Sequence, residues 1–120
     1  METVDPPKPQ LANPVAVPAD LVTQRRTIEF TGETMPAALR NDHNTKAGTW
    51  GLIHVLSGTL RYDITDDRRQ PQSIVLTADT PPGIVEPTIL HHVEPIGEVT
   101  FHVEFLREPD ATTVIRGDRS

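Results

Sequence analysis

Five histidines, His43, His54, His91, His92 and His102, are the residues of this 120-residue chain best suited to chemistry. Neutral imidazole is the commonest transition-metal ligand in a protein without thiols, and the chain has no cysteine. That absence also removes disulfides, thiolate zinc sites and a cysteine nucleophile. His43 sits in a polar stretch, DHNTKAGTWG, directly before the most hydrophobic segment. His91 lies 48 residues further on, after a break at Glu86-Pro87. Two such histidines can converge in the mouth of a small barrel, or both can lie on a solvated rim. His54 alternates with Leu52 and Leu56, as a core or interface residue would. His92 faces away from any site that His91 faces into, because neighbours on a strand point to opposite sides. His102 and Glu104 share a face opposite Phe101, Val103 and Phe105, and parity leaves open which face is inside.

Other chemistries find no pattern. Leu56-Ser57-Gly58 lacks the first glycine of a G-x-S-x-G elbow and precedes a strand. No G-x-x-x-x-G-K-[ST] phosphate loop occurs. Paired carboxylates for glycoside chemistry would need a larger cleft than a domain this small supplies.

The elements that must position these residues read as strands. Five of the 12 prolines fall in the first 18 residues, and a segment so rich in fixed φ and missing N–H groups is an extended arm. Residues 21–30 read as a first strand. Residues 50–56 are nearly all apolar, as in a strand buried on both faces. Ser57-Gly58 marks a turn or bulge. Residues 59–65 alternate, with Leu60, Tyr62 and Ile64 on one face, and 66–72 form a polar hairpin loop. Short strands follow at 74–76, 84–86 and 89–93, a turn at 94–98, and a final alternating strand at 99–106. Only 33–40 has helical character, and Pro36 limits it to about a turn. Short strands punctuated by Gly and Pro predict an all-β sandwich or barrel.

The net charge of −6 argues against nucleic acid. Arg25-Arg26 and Arg68-Arg69 read as solvated surface. No basic region followed by an apolar run opens the chain, and no stretch approaches the ~20 apolar residues of a membrane span. The expectation is a soluble, cytoplasmic protein.

Together, 43–51 (HNTKAGTWG), 55–60 (VLSGTL), Glu86-Pro87, His91-x-Val93 and 101–105 (FHVEF) resemble the TehB/YeaR-like family of small bacterial cupins. Its members occur alone or fused to the tellurite-resistance methyltransferase. The resemblance runs from about residue 21 to residue 107. It implies a double-stranded β-helix, a jelly-roll barrel, over 21–108, with a flexible arm at 1–20 and a polar tail at 109–120. His43 matches the first histidine of the cupin motif and His91 the last. The second falls at Thr45, and Trp50 lies near the place of the motif's glutamate. The implied metal set is therefore His43 and His91, completed by Glu104 or Glu86. The metal would be divalent Fe, Zn, Mn or Ni. Lys46, Trp50 and His102 are expected around a bound ligand.

The expected function is a small metal-binding cupin that holds a small, anionic ligand in a stress or tellurite-resistance role. The alternative is a non-haem metal oxygenase at the same site. A third reading is a structural or sensor module without metal. The family also allows a homodimer.

Overall fold

The computed structural model describes residues 15–109. The arm expected over 1–20 and the tail over 109–120 lie for the most part outside the described residues. The described chain is all-β. Its strands are β1 (Val22–Arg26), β2 (Phe30–Thr31), β3 (Thr49–Ile64), β4 (Gln72–Leu76), β5 (Gly83–Val85) and β6 (His91–Arg107). A single 3-10 turn, Ala37–Arg40, follows Pro36. This is the turn of helix that the proline allows.

The sheet is ordered β1-β6-β3-β4, with β2 on β6 and β5 on β3. Two long antiparallel strands, β3 and β6, form its spine. Their register runs from Thr49↔Arg107 to Ile64↔His91.

The turn expected at 94–98 is not a turn, because β6 runs through it as continuous strand. The reason lies in where Pro95 falls. β1 and β2 reach only as far as Thr100, so around Pro95 strand β6 is paired on one side alone. A missing N–H costs little there. The break at Ser57-Gly58 is likewise a bulge within one strand. Register shifts fall between Val55 and Ser57, and between Gly58 and Thr59. Gly58 and Gly97 take positive φ, 79° and 69°, so both strands kink together.

The bulges also correct the expectation that 50–56 is buried on both faces. Ile53 and Val55 are buried, while Leu52 and His54 are only partly so and Leu56 is exposed. Leu56 is the extra residue of the bulge. Beyond it the inward set changes from odd to even numbers, giving Leu60, Tyr62 and Ile64. In β6 the inward set stays odd: His91, Val93, Val99 and Phe101. Residues 21–30 are not one strand but two, and all five residues of β1 are exposed. The core is aliphatic around Tyr62 and Phe101, with Leu60 and Leu76 fully buried. Phe30 packs on Phe101 at 5.7 Å between ring centroids.

Candidate functional site

His43 and His91 meet at one end of this core. The polar stretch around His43 lies antiparallel to the start of β6, and the two residues exchange both backbone hydrogen bonds, N–H to O=C, each at 2.9 Å. Side chains of directly opposed residues fall on the same side. The imidazoles therefore stand together, with centroids 4.2 Å apart and planes tilted by 54°. The edge of Tyr62 closes on His91 at 5.7 Å. The pair lines a small cavity whose other walls are Leu39, Ile53, Val85, Val93, Phe101 and Val103.

The backbone sets the tautomer of both rings. Nδ1 of His43 lies 2.9 Å from the Asn41 carbonyl oxygen, and Nδ1 of His91 lies 2.9 Å from that of Ile89. A carbonyl only accepts, so each Nδ1 carries the donated proton and Nε2 is left as the acceptor in the neutral ring. His91 is 4% exposed, and burial pulls its pKa down to about 4. The hydrogen bond to Ile89 opposes that shift, and the neighbouring His43 adds to it. At neutral pH the His91 ring is an uncharged acceptor in an apolar wall.

The loops that carry the pair are tied down independently. Asp66 is buried and accepts from the Arg68 backbone N–H, the Arg68 guanidinium and the Leu90 N–H. The Arg68 bonds hold its carboxyl well below the usual range. Thr88 takes φ of 68°, rare for a β-branched residue. Its N–H donates to Thr45, and its carbonyl accepts from Asn44 Nδ2 and from Arg68. On the outer side His92 bridges two strands and the His43 loop, with ring nitrogens 2.8 Å from Asp42 Oδ1 and 2.9 Å from Asp63 Oδ2. His92 thus faces away from His91. Asp42, Asp63 and Asp66 were not singled out from the sequence. Acidic turn residues carry no period that separates a tether from a solvated charge.

The other expected site residues lie elsewhere. Glu104 and His102 are on the opposite face of the sheet from the cavity. There Glu104 accepts from Thr23 and pairs with His54 Nε2 at 3.0 Å. His102 stacks on His54 at 4.8 Å. Both follow from the odd inward set of β6. The Glu86 carboxylate is gripped by the Arg69 guanidinium through two bonds of 2.8 Å. Trp50 is buried and donates its indole N–H to Glu108. Lys46 lies in a separate groove. His54, expected in the core or at an interface, is half-buried on the outer face. Among the described residues no group of three or more His, Asp or Glu is placed to hold a metal ion.

Comparison with known proteins decides the family. The model of the TehB-like domain matches residues 25–103. The chain belongs to the TehB-like family. One TehB of Haemophilus influenzae, named a probable S-adenosyl-L-methionine-dependent methyltransferase, is 28% identical over 108 residues. That match covers 82% of this chain but 38% of the relative. TehB from a second strain is 29% identical over 80 residues, covering 66% of this chain and 28% of the relative. The crystal structure of TehB from H. influenzae superposes with TM-score 0.69 at 25% identity, over 75% of this chain and 32% of that one. A crystal structure of an E. coli (strain K12) protein has TM-score 0.71 at 22% identity, over 80% of this chain and 99% of that one.

The TehB relatives correct the functional expectation. Their names point to S-adenosylmethionine-dependent methyl transfer, not to a metal-binding cupin or an oxygenase. The expected divalent metal is overturned with it, and among the described residues no third ligand stands beside His43 and His91. S-adenosylmethionine itself does not fit the His43–His91 cavity. Cofactor sites run to ~300–1,000 Å³, and this one offers about 30 Å³. No helix among the described residues is long and apolar enough to cross a membrane.

Proposed function

We propose that this TehB-like chain serves S-adenosylmethionine-dependent methyl transfer as a β module that holds a small uncharged molecule, while the cofactor is held outside its cavity. One observation carries this reading. The chain corresponds to about a third of TehB, 38% of one relative and 32% of the crystallised chain. The same fold accounts for 99% of the E. coli chain. A unit that recurs at this length, and also as a minor part of a methyltransferase, accompanies the catalytic region. The finer architecture we propose is the double-stranded β-helix of cupins over 21–108, supported by the two long bulged strands β3 and β6.

The cavity sets the class of small molecule. Its walls are apolar, and the buried His91 ring is neutral above about pH 4. An anion would meet the neutral His91 ring, whose one N–H is spent on the Ile89 carbonyl, and apolar walls. The Nε2 lone pair of His91 accepts from a donor such as a hydroxyl, a thiol or water. The ligand is thus a molecule of a few non-hydrogen atoms carrying an X–H group. Removing the matching third of H. influenzae TehB should lower its methyl-transfer rate with S-adenosylmethionine affinity retained. Fusing this chain in its place should restore the rate. A deletion without effect, or a fusion that restores nothing, would reject the reading.

A further inference from the structure

Beside the 44–49 loop, on the same face of the sheet as Phe101 and Val103 but with none of the histidine cavity's lining residues, runs a groove of about 410 Å³. Its sides are Gln24 and Arg25 of β1, Asn44, Thr45 and Lys46 of the loop, and Thr49 and Phe105 below. Gln24 and Arg25 are sequence neighbours, so on a regular strand they would face opposite ways. The register shift between Thr23 and Arg25 makes Gln24 the extra residue of a bulge, and both line the groove. The Arg25 guanidinium lies 4.5 Å above the Phe105 ring, which holds it in place.

No carboxylate lines this groove. Neither Arg25 nor Lys46 has an acidic partner among the described residues. Arg61, Arg68 and Arg69, by contrast, are paired with Asp63, Asp66 and Glu86. The nearby acids are engaged elsewhere: Glu104 by Thr23 and His54, Glu108 by the Trp50 indole. Two cations with no acidic partner among the described residues share one groove on a chain of net charge −6. The groove offers a formal charge of two, the Arg25 fork, the Lys46 ammonium and the Gln24 amide. That set complements a doubly charged tetrahedral oxyanion carrying several acceptors.

We propose that this groove binds the phosphate group of a small phosphorylated molecule, clamped between Arg25 and Lys46. It is a second site, separate from the histidine cavity and independent of the methyl-transfer reading. The full chain, labelled with ¹⁵N, is titrated at about pH 7.5 and low ionic strength with phenyl phosphate and, separately, inorganic phosphate. Saturable amide shifts centred on residues 24–25 and 44–49 are expected for both. Tighter binding of the ester would identify an organic phosphate as the ligand, and equal binding the free ion. R25Q and K46Q should each weaken binding about tenfold, a loss typical of one charge-assisted contact. R40Q, whose guanidinium donates to the Gly32 carbonyl, should not. All three positions are exposed, and unchanged melting curves show that the variants fold. Shifts centred elsewhere, or an affinity unaltered in the R25Q/K46Q double variant, overturn the proposal.

Discussion

His91 is the residue whose environment departs furthest from what its type prescribes. Its folded pKa of about 4 lies below the unfolded value near 6.5. Between those values the unfolded chain takes up a proton that the folded chain refuses. The contribution of His91 is therefore intact above pH ~6.5 and lost progressively as pH falls towards 4, by about 3 kcal/mol at most. Urea denaturation from pH 7 to pH 4 should show wild-type stability falling faster than that of H91F, whose ring suits the apolar wall and does not titrate. Parallel curves would mean that His91 is solvated. Thr88 is the second residue under constraint. Its left-handed backbone costs ~1–2 kcal/mol, of which glycine recovers all but its own ~0.5–1 kcal/mol of chain entropy. T88G should thus be more stable by roughly 0.5–1 kcal/mol in thermal unfolding, and a loss of stability would show that the threonine side chain contributes packing. The sequence made the separation of His91 from His92 legible, because strand parity demands it. It could not reveal that the Asn41 and Ile89 carbonyls take both Nδ1 protons, since backbone partners carry no signature in residue type.

At the scale of elements, the two bulges decide which side chains share a face. Alternation in 59–65 and 99–106 was plain in the sequence and matches the inward sets Leu60, Tyr62, Ile64 and Val99, Phe101. The continuity of β3 and β6 was not plain, because Gly58, Pro95 and Gly97 are the residues that usually end strands. Only long-range pairing distinguishes a bulge from a turn. Glu104 and His102 were placed with the site as one of two open faces, and the odd inward set of β6 turns them outward. A Cβ at Gly58 would collide with the Glu98 carbonyl oxygen and lie 2.8 Å from Val99 Cα. With φ at 79°, G58V should cost about 3 kcal/mol, read as a lowered melting temperature. An unchanged melting temperature would mean that the kink can relax. The 66–69 turn is the other joint, where Asp66 holds the Leu90 N–H at the entry to β6. D66A should lower the melting temperature at neutral pH. Because the folded pKa of Asp66 is depressed, wild type loses this advantage as pH falls below the ordinary carboxylate value near 3.8, and the two curves should converge there.

For the molecule as a whole, the sequence identified the family and the all-β class correctly, through motifs spread from residue 43 to residue 105. It misread the chemistry. Two histidines at cupin-like positions suggested a metal, yet Thr45 stands where another ligand would be. The two carboxylates expected to complete the set, Glu86 and Glu104, are tied to Arg69 and His54. What the chain retains is a water-sized cavity with apolar walls and a neutral His91 ring, in a chain that matches 38% of a TehB named a probable methyltransferase. The central claim is that this module serves methyl transfer without holding the methyl donor. Isothermal titration of the full chain with S-adenosylmethionine tests it most directly. No saturable binding is expected up to ~1 mM, and one-to-one binding with a micromolar Kd would show that the module holds the methyl donor itself.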